Sequence, residues 1–266
     1  MIPDIVIFGK TFTPYMFCAL AGVLIVVFFT YKLAIKQNLD ELKAMNMILF
    51  CFIGVFFGGH ILYAITNFDY IIKLINNLAL IKSFKDFINA FFFIFGGSVF
   101  YGGLIGALIV AFIYYKKAKL NNIAYIDLAT LSIPLFHFFG RLGCFLSGCC
   151  YGIEGKIGFI YHYSKIETAN GVRRFPTSLI EAVLNLILFF VLYYLFKNKK
   201  AKGKILSLYL IIYPTYRFLL EFLRGDEYRG FVGPFSTSQF VSILLLVSTL
   251  ALNIIIYIKR QKPIDK

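Results

Sequence analysis

Ionisable residues interrupt long apolar runs at spacings that place their side chains together. Arg217, Glu221 and Arg224 stand at i, i+4 and i+7, and His137 and Arg141 stand four apart. On a helix each set shares one face. An arginine beside hydrocarbon costs about 3 kcal/mol or more, so it must pair, reach the interface or serve a ligand. Arg217 and Glu221 can neutralise each other. That face then reads either as an ion pair with a snorkelling Arg224, or as a guanidinium site for a phosphate in which Glu221 orients an arginine. His137 and Arg141, followed by a run of glycines, allow the same choice between a simple helix end and an anion site of guanidinium and backbone N–H groups.

Five cysteines are present, and Cys144, Cys149 and Cys150 lie close together in the chain. They lack the spaced ligand pairs of a structural zinc site, and the adjacent pair could form only a strained vicinal disulfide. They read as small packing thiols, with redox or metal work the lesser alternative, and no motif in the sequence requires a metal or a cofactor. Gly96, Gly97, Gly102, Gly103 and Gly106 surround Tyr101. The Gly102 and Gly106 spacing suits close helix packing, while the paired glycines can also open room for a lipid headgroup that the phenol faces. Gly58, Gly59 and His60 repeat the pattern, with His60 either a base or a hydrogen-bonding histidine.

The elements that carry these residues are set by composition. Of 266 residues 60% are hydrophobic and 15% charged, which a soluble fold cannot accommodate. Seven apolar blocks each approach the length of about 20 residues that a bilayer requires. They are Pro14 to Thr30, Met45 to Ile65, Asn89 to Tyr115, Ile123 to Phe139, Thr177 to Phe196, Ile205 to Phe222 and Ser236 to Ile258. The fourth is the weakest, because it carries Asp127, Ser132, Pro134 and His137, and a re-entrant or broken helix is an option there. The expected fold is all-α: a single polytopic membrane domain over residues 1–266 with about seven transmembrane helices.

The net charge of +14 is distributed unevenly. With the N-terminus outside, the segments assigned inside hold 15 of the 27 basic residues and 4 of the 13 acids, leaving +11 inside and +3 outside. That asymmetry predicts an external N-terminus and accounts for the charge without a nucleic-acid partner. Two external excursions follow, at about 66–88 and 140–176. The first has the pattern of an amphipathic surface helix, with Ile71, Ile72, Leu74, Ile75 and Leu78 near Lys73, Lys82 and Lys85. The second begins at Gly140, is rich in glycine, and carries a short strand over Gly155 to Tyr163 and a turn at Asn170-Gly171. It forms a small external cap. Ser178 to Glu181 has the spacing of a capping box that opens the fifth helix.

These motifs resemble the bacterial prolipoprotein diacylglyceryl transferase family. Gly140-Arg141-Leu142-Gly143-Cys144-Phe145-Leu146-Ser147-Gly148-Cys149-Cys150-Tyr151-Gly152 is similar to the family signature Gly-Arg-x-Gly-Asn-Phe-x-Asn-Gly-Glu-x-x-Gly. Gly97 to Gly106 resembles the glycine-rich third-helix motif, Arg174 to Glu181 the Arg-His-Pro-x-Gln-Leu-Tyr-Glu segment, and Tyr216 to Arg224 the essential arginine helix. The matches are in order and span roughly residues 14 to 258. Tyr-Gly-Gly-Leu and Gly-Cys-Cys-Tyr-Gly resemble a divergent branch.

The resemblance implies a transferase of the bacterial cytoplasmic membrane whose active site faces the outer leaflet. Its implied substrates are phosphatidylglycerol, among the membrane lipids, and a prolipoprotein signal peptide with a lipobox cysteine. The diacylglyceryl group moves to the cysteine thiol and glycerol 1-phosphate leaves. Arg141 and Arg217 inherit the phosphate role, supported by Glu221 and Arg224. Tyr15, Gly143 and Gly152 match substrate-contact or signature positions, with Gly102 and Gly103 in the third-helix motif.

Departures concern the acid and base. Tyr101 stands where well-studied members carry a histidine thought to be catalytic, Cys144 and Ser147 replace the signature asparagines, and Cys149 replaces the signature glutamate. His60 falls where an arginine is common, and Ser178 replaces a glutamine. The base is then Tyr101 assisted by an arginine, or His137 or His60, or Cys149 or Cys150 acts as a nucleophile. Two other functions fit the same arginines: a phospholipid-dependent transferase with another acceptor, and a non-enzymatic anionic-lipid binder or transporter.

Overall fold

Hydrocarbon offers no water to satisfy backbone N–H and C=O groups, so an apolar run that crosses it is helical. The computed structural model describes residues 2–76, 81, 83–226 and 230–261. Its α-helices are α1 (Pro14–Lys36), α2 (Glu41–Thr66), α3 (Phe68–Asn76), α4 (Phe84–Phe95), α5 (Phe100–Lys117), α6 (Ala124–Ser147), α7 (Thr177–Lys197), α8 (Ile205–Leu220) and α9 (Thr237–Gln261). Seven of these, all but α3 and α4, are long and apolar enough to cross a membrane. The protein is a polytopic all-α membrane protein.

The described residues form two compact units. Asp40–Asn122 is one, holding α2 to α5. There α2 and α5 pack on glycine: a Cβ at Gly102 would run into the Gly58 carbonyl, and one at Gly103 would lie 3.1 Å from the Val55 side chain and carbonyl. The continuous third block expected from Asn89 to Tyr115 is two helices, α4 and α5, separated at 96–99. Gly96 and Gly97 favour helix poorly, and the break is held from α2, where His60 Nδ1 lies 2.7 Å from the Gly97 carbonyl and the Val99 N–H donates to the Gly59 carbonyl at 3.1 Å. The 18 residues of α5 rise about 27 Å, so it needs no help from α4 to span. The expected amphipathic helix begins as α3. Leu78 and Lys82 of that pattern lie outside the described residues, and Lys85 opens α4 after a capping box between Ser83 and Asp86.

The second unit holds α1 and α6 to α9. The fourth apolar block is one unbroken helix rather than a re-entrant pair, and α6 continues through Ser147, eight residues beyond the expected end at Phe139. The second excursion therefore starts after Gly148, which closes the helix at φ 75°. Gly143 lies within the helix, where the missing side chain lets α1 cross so closely that a Cβ would lie 3.0 Å from the Tyr15 Cα. Thr30 and Ser132 join the same two helices by a 3.2 Å hydrogen bond. Asp127, a poor choice for a membrane block, caps α8: it accepts from the Gly203 N–H at 2.6 Å and the Ile205 N–H at 3.3 Å.

Beyond Gly148 the chain forms a cap. The antiparallel strands β1 (Ile5–Ile7) and β2 (Lys10–Phe12) lie near the N-terminus; β3 (Glu154–Ile160) pairs with β4 (Arg173–Arg174); and β5 (Phe231–Val232) pairs with β6 (Phe235–Ser236). Between β3 and β4, Asn170 holds Ser164 at both its N–H (3.0 Å) and its carbonyl (2.9 Å). Gly171 follows at φ 76°. Tyr151 is buried under the Arg174 guanidinium, 4.4 Å from the ring centre. Gly152 is threaded between two neighbouring segments. Its N–H donates to Phe175 O at 2.9 Å, it bridges Arg224, and a Cβ there would meet the carbonyls of Phe175 and Leu223.

Candidate active site

Helices α6, α7 and α8 bring ionisable groups to a common point. His137 and Arg141 are one turn apart on α6, Glu181 is one turn into α7, and Arg217 lies near the end of α8, followed by Glu221 in the 3-10 turn Glu221–Leu223. All five are buried, with Glu181 at 1% exposure. A carboxylate so far from water demands partners. Glu181 Oε2 has Arg141 Nε at 3.2 Å and Arg217 Nη1 at 3.3 Å, while Oε1 accepts from the Tyr213 hydroxyl at 3.5 Å. Arg217 Nη2 reaches Glu221 at 2.8 Å and the Ser238 hydroxyl at 3.0 Å. Two guanidinium groups thus meet two carboxylates, and the cluster is neutral as a whole.

Glu181 was expected to close a capping box with Ser178. The structure corrects this: α7 starts after Pro176 without a side-chain cap, Ser178 turns its hydroxyl to the Cys149 carbonyl at 3.5 Å, and Glu181 points inward to the arginines. The two buried guanidinium groups out-compete a backbone N–H for that carboxylate, because charge-assisted contacts are the stronger.

Arg141 donates from Nε to His137 Nε2 at 3.1 Å. An imidazole nitrogen that accepts is unprotonated, so the 3.7 Å approach of that nitrogen to Glu181 is proximity within the cluster rather than an ion pair. Among the described residues, both side-chain partners of Arg141 are reached through Nε. The outer edge of the guanidinium, Nη1 and Nη2, is left to present two parallel donors, the fork that matches phosphate or carboxylate.

Arg224 departs from its expected place on the Arg217 face. The 3-10 turn ends α8, Arg224 is extended, and its guanidinium pairs with Asp226. Cys144, Cys149 and Cys150 gather beside it. Hydrogen bonds from Cys144 and Cys149, then the nearby Arg224 and Arg141, hold the Cys150 thiol well below the ordinary thiol value against the effect of burial. Tyr15, at the start of α1, gives its backbone N–H to the Ser147 hydroxyl at 3.0 Å, and its ring touches the space over Gly143.

The remaining expected residues belong to the other unit. Tyr101 is buried at the start of α5, edge-on to Phe100; Gly102 and Gly103 pack against α2; and His60 serves the Gly97 carbonyl while its ring meets Phe56 edge to face, 4.6 Å between centres. Sequence reasoning missed Glu181 as a hub, and Tyr213, Ser238 and Asp226 altogether. The signal for Glu181 was available, because two buried arginines with only Glu221 between them leave one positive charge without a counter-ion.

Comparison with known proteins finds similar chains. A family described as prolipoprotein diacylglyceryl transferase matches residues 4–255. Phosphatidylglycerol–prolipoprotein diacylglyceryl transferase 2 of Clostridium perfringens is 36% identical over 259 residues, 96% of this chain and 95% of that protein. The corresponding transferase of Clostridium tetani is 36% identical over 91% of this chain and 92% of its own length, and that of Finegoldia magna is 30% identical over 98% and 96%.

Proposed function

The chain belongs to the prolipoprotein diacylglyceryl transferase family, and from that premise we propose that it moves the sn-1,2-diacylglyceryl group of phosphatidylglycerol to the lipobox cysteine thiol of a prolipoprotein. The bond between the glyceryl carbon and the phosphate oxygen breaks, a sulfur–carbon bond forms, and glycerol 1-phosphate leaves. The thiol proton passes to a base.

One observation carries the reading. Arg141 is fixed through Nε by His137 and Glu181 and keeps its two Nη groups for a ligand, so a fork of donors is already oriented where charge grows on the leaving phosphate. Arg217 has a different task. Both of its Nη atoms are engaged, on Glu181, Glu221 and Ser238, and it acts as a positioning residue that holds Glu181 and, through it, Arg141. His137 is the proposed base because its Nε2 lies in the same cluster, with Glu181 Oε1 3.7 Å away to stabilise the imidazolium that forms. For this the Arg141 hydrogen bond to Nε2 opens as the thiol arrives, while Glu181 keeps Nε in place at 3.2 Å.

The excess of lysine and arginine in the segments assigned inside supports a site that faces the outer leaflet, where phosphatidylglycerol and a translocated signal peptide meet. The test is mass spectrometry of a lipobox peptide incubated with the purified protein and phosphatidylglycerol in detergent. A diacylglyceryl adduct on the peptide cysteine is the expected result. Consumption of phosphatidylglycerol with an unmodified peptide would reject the acceptor, and intact lipid would reject the transfer.

A further inference from the structure

Cys144 sits near the C-terminal end of α6, and Cys149 and Cys150 lie in the turn beyond it. The three Sγ atoms all lie within 4.8 Å of one another. Thiolates that share one zinc or copper(I) ion stand about 2.3 Å from the metal, which sets sulfur-to-sulfur separations of about 4 Å. We propose that these three thiols form the sulfur face of a binding site for one soft, thiophilic metal ion, zinc(II) or copper(I). The proposal does not rest on the transfer reaction.

No ligand spacing announces this site along the chain, because the fold creates it. Gly148 ends α6 in the left-handed region at φ 75°, and Cys150, which is not a glycine, is left-handed too at φ 55°. The left-handed Gly148 turns the backbone so that the Cys149 N–H returns to the Cys144 carbonyl at 3.0 Å, and the left-handed Cys150 turns it again. The adjacent cysteines are thereby folded back onto the one five residues earlier.

The turn is also pinned from outside. Ser164 Oγ donates to the Gly148 carbonyl at 2.8 Å, Ser178 Oγ to the Cys149 carbonyl at 3.5 Å, and Thr177 Oγ to the Cys150 carbonyl at 2.9 Å. Three hydroxyls on three successive carbonyls fix the backbone that carries two of the ligands. A metal site needs its first ligands held in this way by their surroundings.

Ligand chemistry selects the kind of ion. Three thiols without a carboxylate favour a soft, thiophilic ion over a hard one. Three thiolates around zinc(II) carry one net negative charge, and around copper(I) two. Copper(I) is satisfied by three sulfurs, and zinc(II) takes a fourth ligand. A disulfide is the competing use of these thiols, but it needs an S–S separation of about 2.0 Å, and between Cys149 and Cys150 it would close a strained ring.

The experiment adds zinc(II), and separately copper(I), to the full chain in detergent under anaerobic conditions with a phosphine reductant. Bound metal is counted after desalting, and its ligands are read by X-ray absorption at the metal edge. One ion per chain with three sulfurs at about 2.3 Å is expected, with binding weakened at least about tenfold in Cys144→Ser and Cys149→Ser and unchanged in Cys51→Ser. The spectrum of the unaltered protein decides the matter even where a serine variant fails to fold. A shell of nitrogen and oxygen only, equal binding in the cluster variants, or failure to retain either ion overturns the proposal.

Discussion

Arg141 meets Glu181 side-on, Nε to Oε2 at 3.2 Å, and the same carboxylate oxygen lies 3.3 Å from Arg217. One buried carboxylate therefore fixes guanidinium groups from two other helices. It orients Arg141 so that its Nη edge is spared and lets α6, α7 and α8 share one electrostatic lock. The membrane bundle and the proposed phosphate fork depend on the same residue.

Removing that carboxylate's charge leaves Arg141 without a counter-ion and Arg217 with Glu221 alone. Glu181→Gln is expected to destabilise the protein by about 3–5 kcal/mol, the cost of breaking a buried pair from one side. Thermal unfolding in detergent measures this directly. A variant as stable as the unaltered protein would mean that the pairs contribute little.

Glu181 also marks the limit of what was legible in the sequence. The seven spans, the pairing of Arg217 with Glu221 and a cap built around the glycine-rich segment followed from hydropathy and helical spacing, which are local. Glu181 joins residues 36 and 40 positions away, and no local period links them; its spacing from Ser178 pointed to a local cap instead. The end of α6 was hidden for the opposite reason. Gly140 and Gly143 carry the local signal of a turn, yet Gly143 is a contact surface for α1, where a Cβ would lie 3.0 Å from the Tyr15 Cα. The split of α4 from α5 had a visible cue in Gly96-Gly97, which an unbroken apolar run masked.

The base assignment makes its own demand. His137→Gln keeps a polar acceptor of similar reach but cannot carry a proton. It is expected to lower kcat about 10²–10⁴-fold while phosphatidylglycerol binding is retained, and Tyr101→Phe is expected to stay within a few fold. The reverse pattern, read in a transfer assay with a lipobox peptide, would move the base to Tyr101.

Gly152 is a structural prediction. With carbonyls of Phe175 and Leu223 occupying the space a Cβ would take, Gly152→Ala must push those two neighbouring segments away. A loss of about 1–3 kcal/mol is expected from such overpacking, together with faster proteolysis within residues 150–176. Unchanged proteolysis would show that the cap yields without cost.

The account rests most heavily on the geometry of Arg141, and replacement by lysine isolates it. Arg141→Lys preserves the positive charge but loses both Nε and the paired Nη donors. The decisive measurement is the initial rate of diacylglyceryl transfer to a lipobox peptide across a series of phosphatidylglycerol fractions in mixed micelles, for the unaltered protein and this variant side by side. The fork reading expects a loss of about 10²-fold or more that saturating lipid does not restore. Equal rates in a folded Arg141→Lys protein, or a loss that saturating lipid fully repairs, would contradict it.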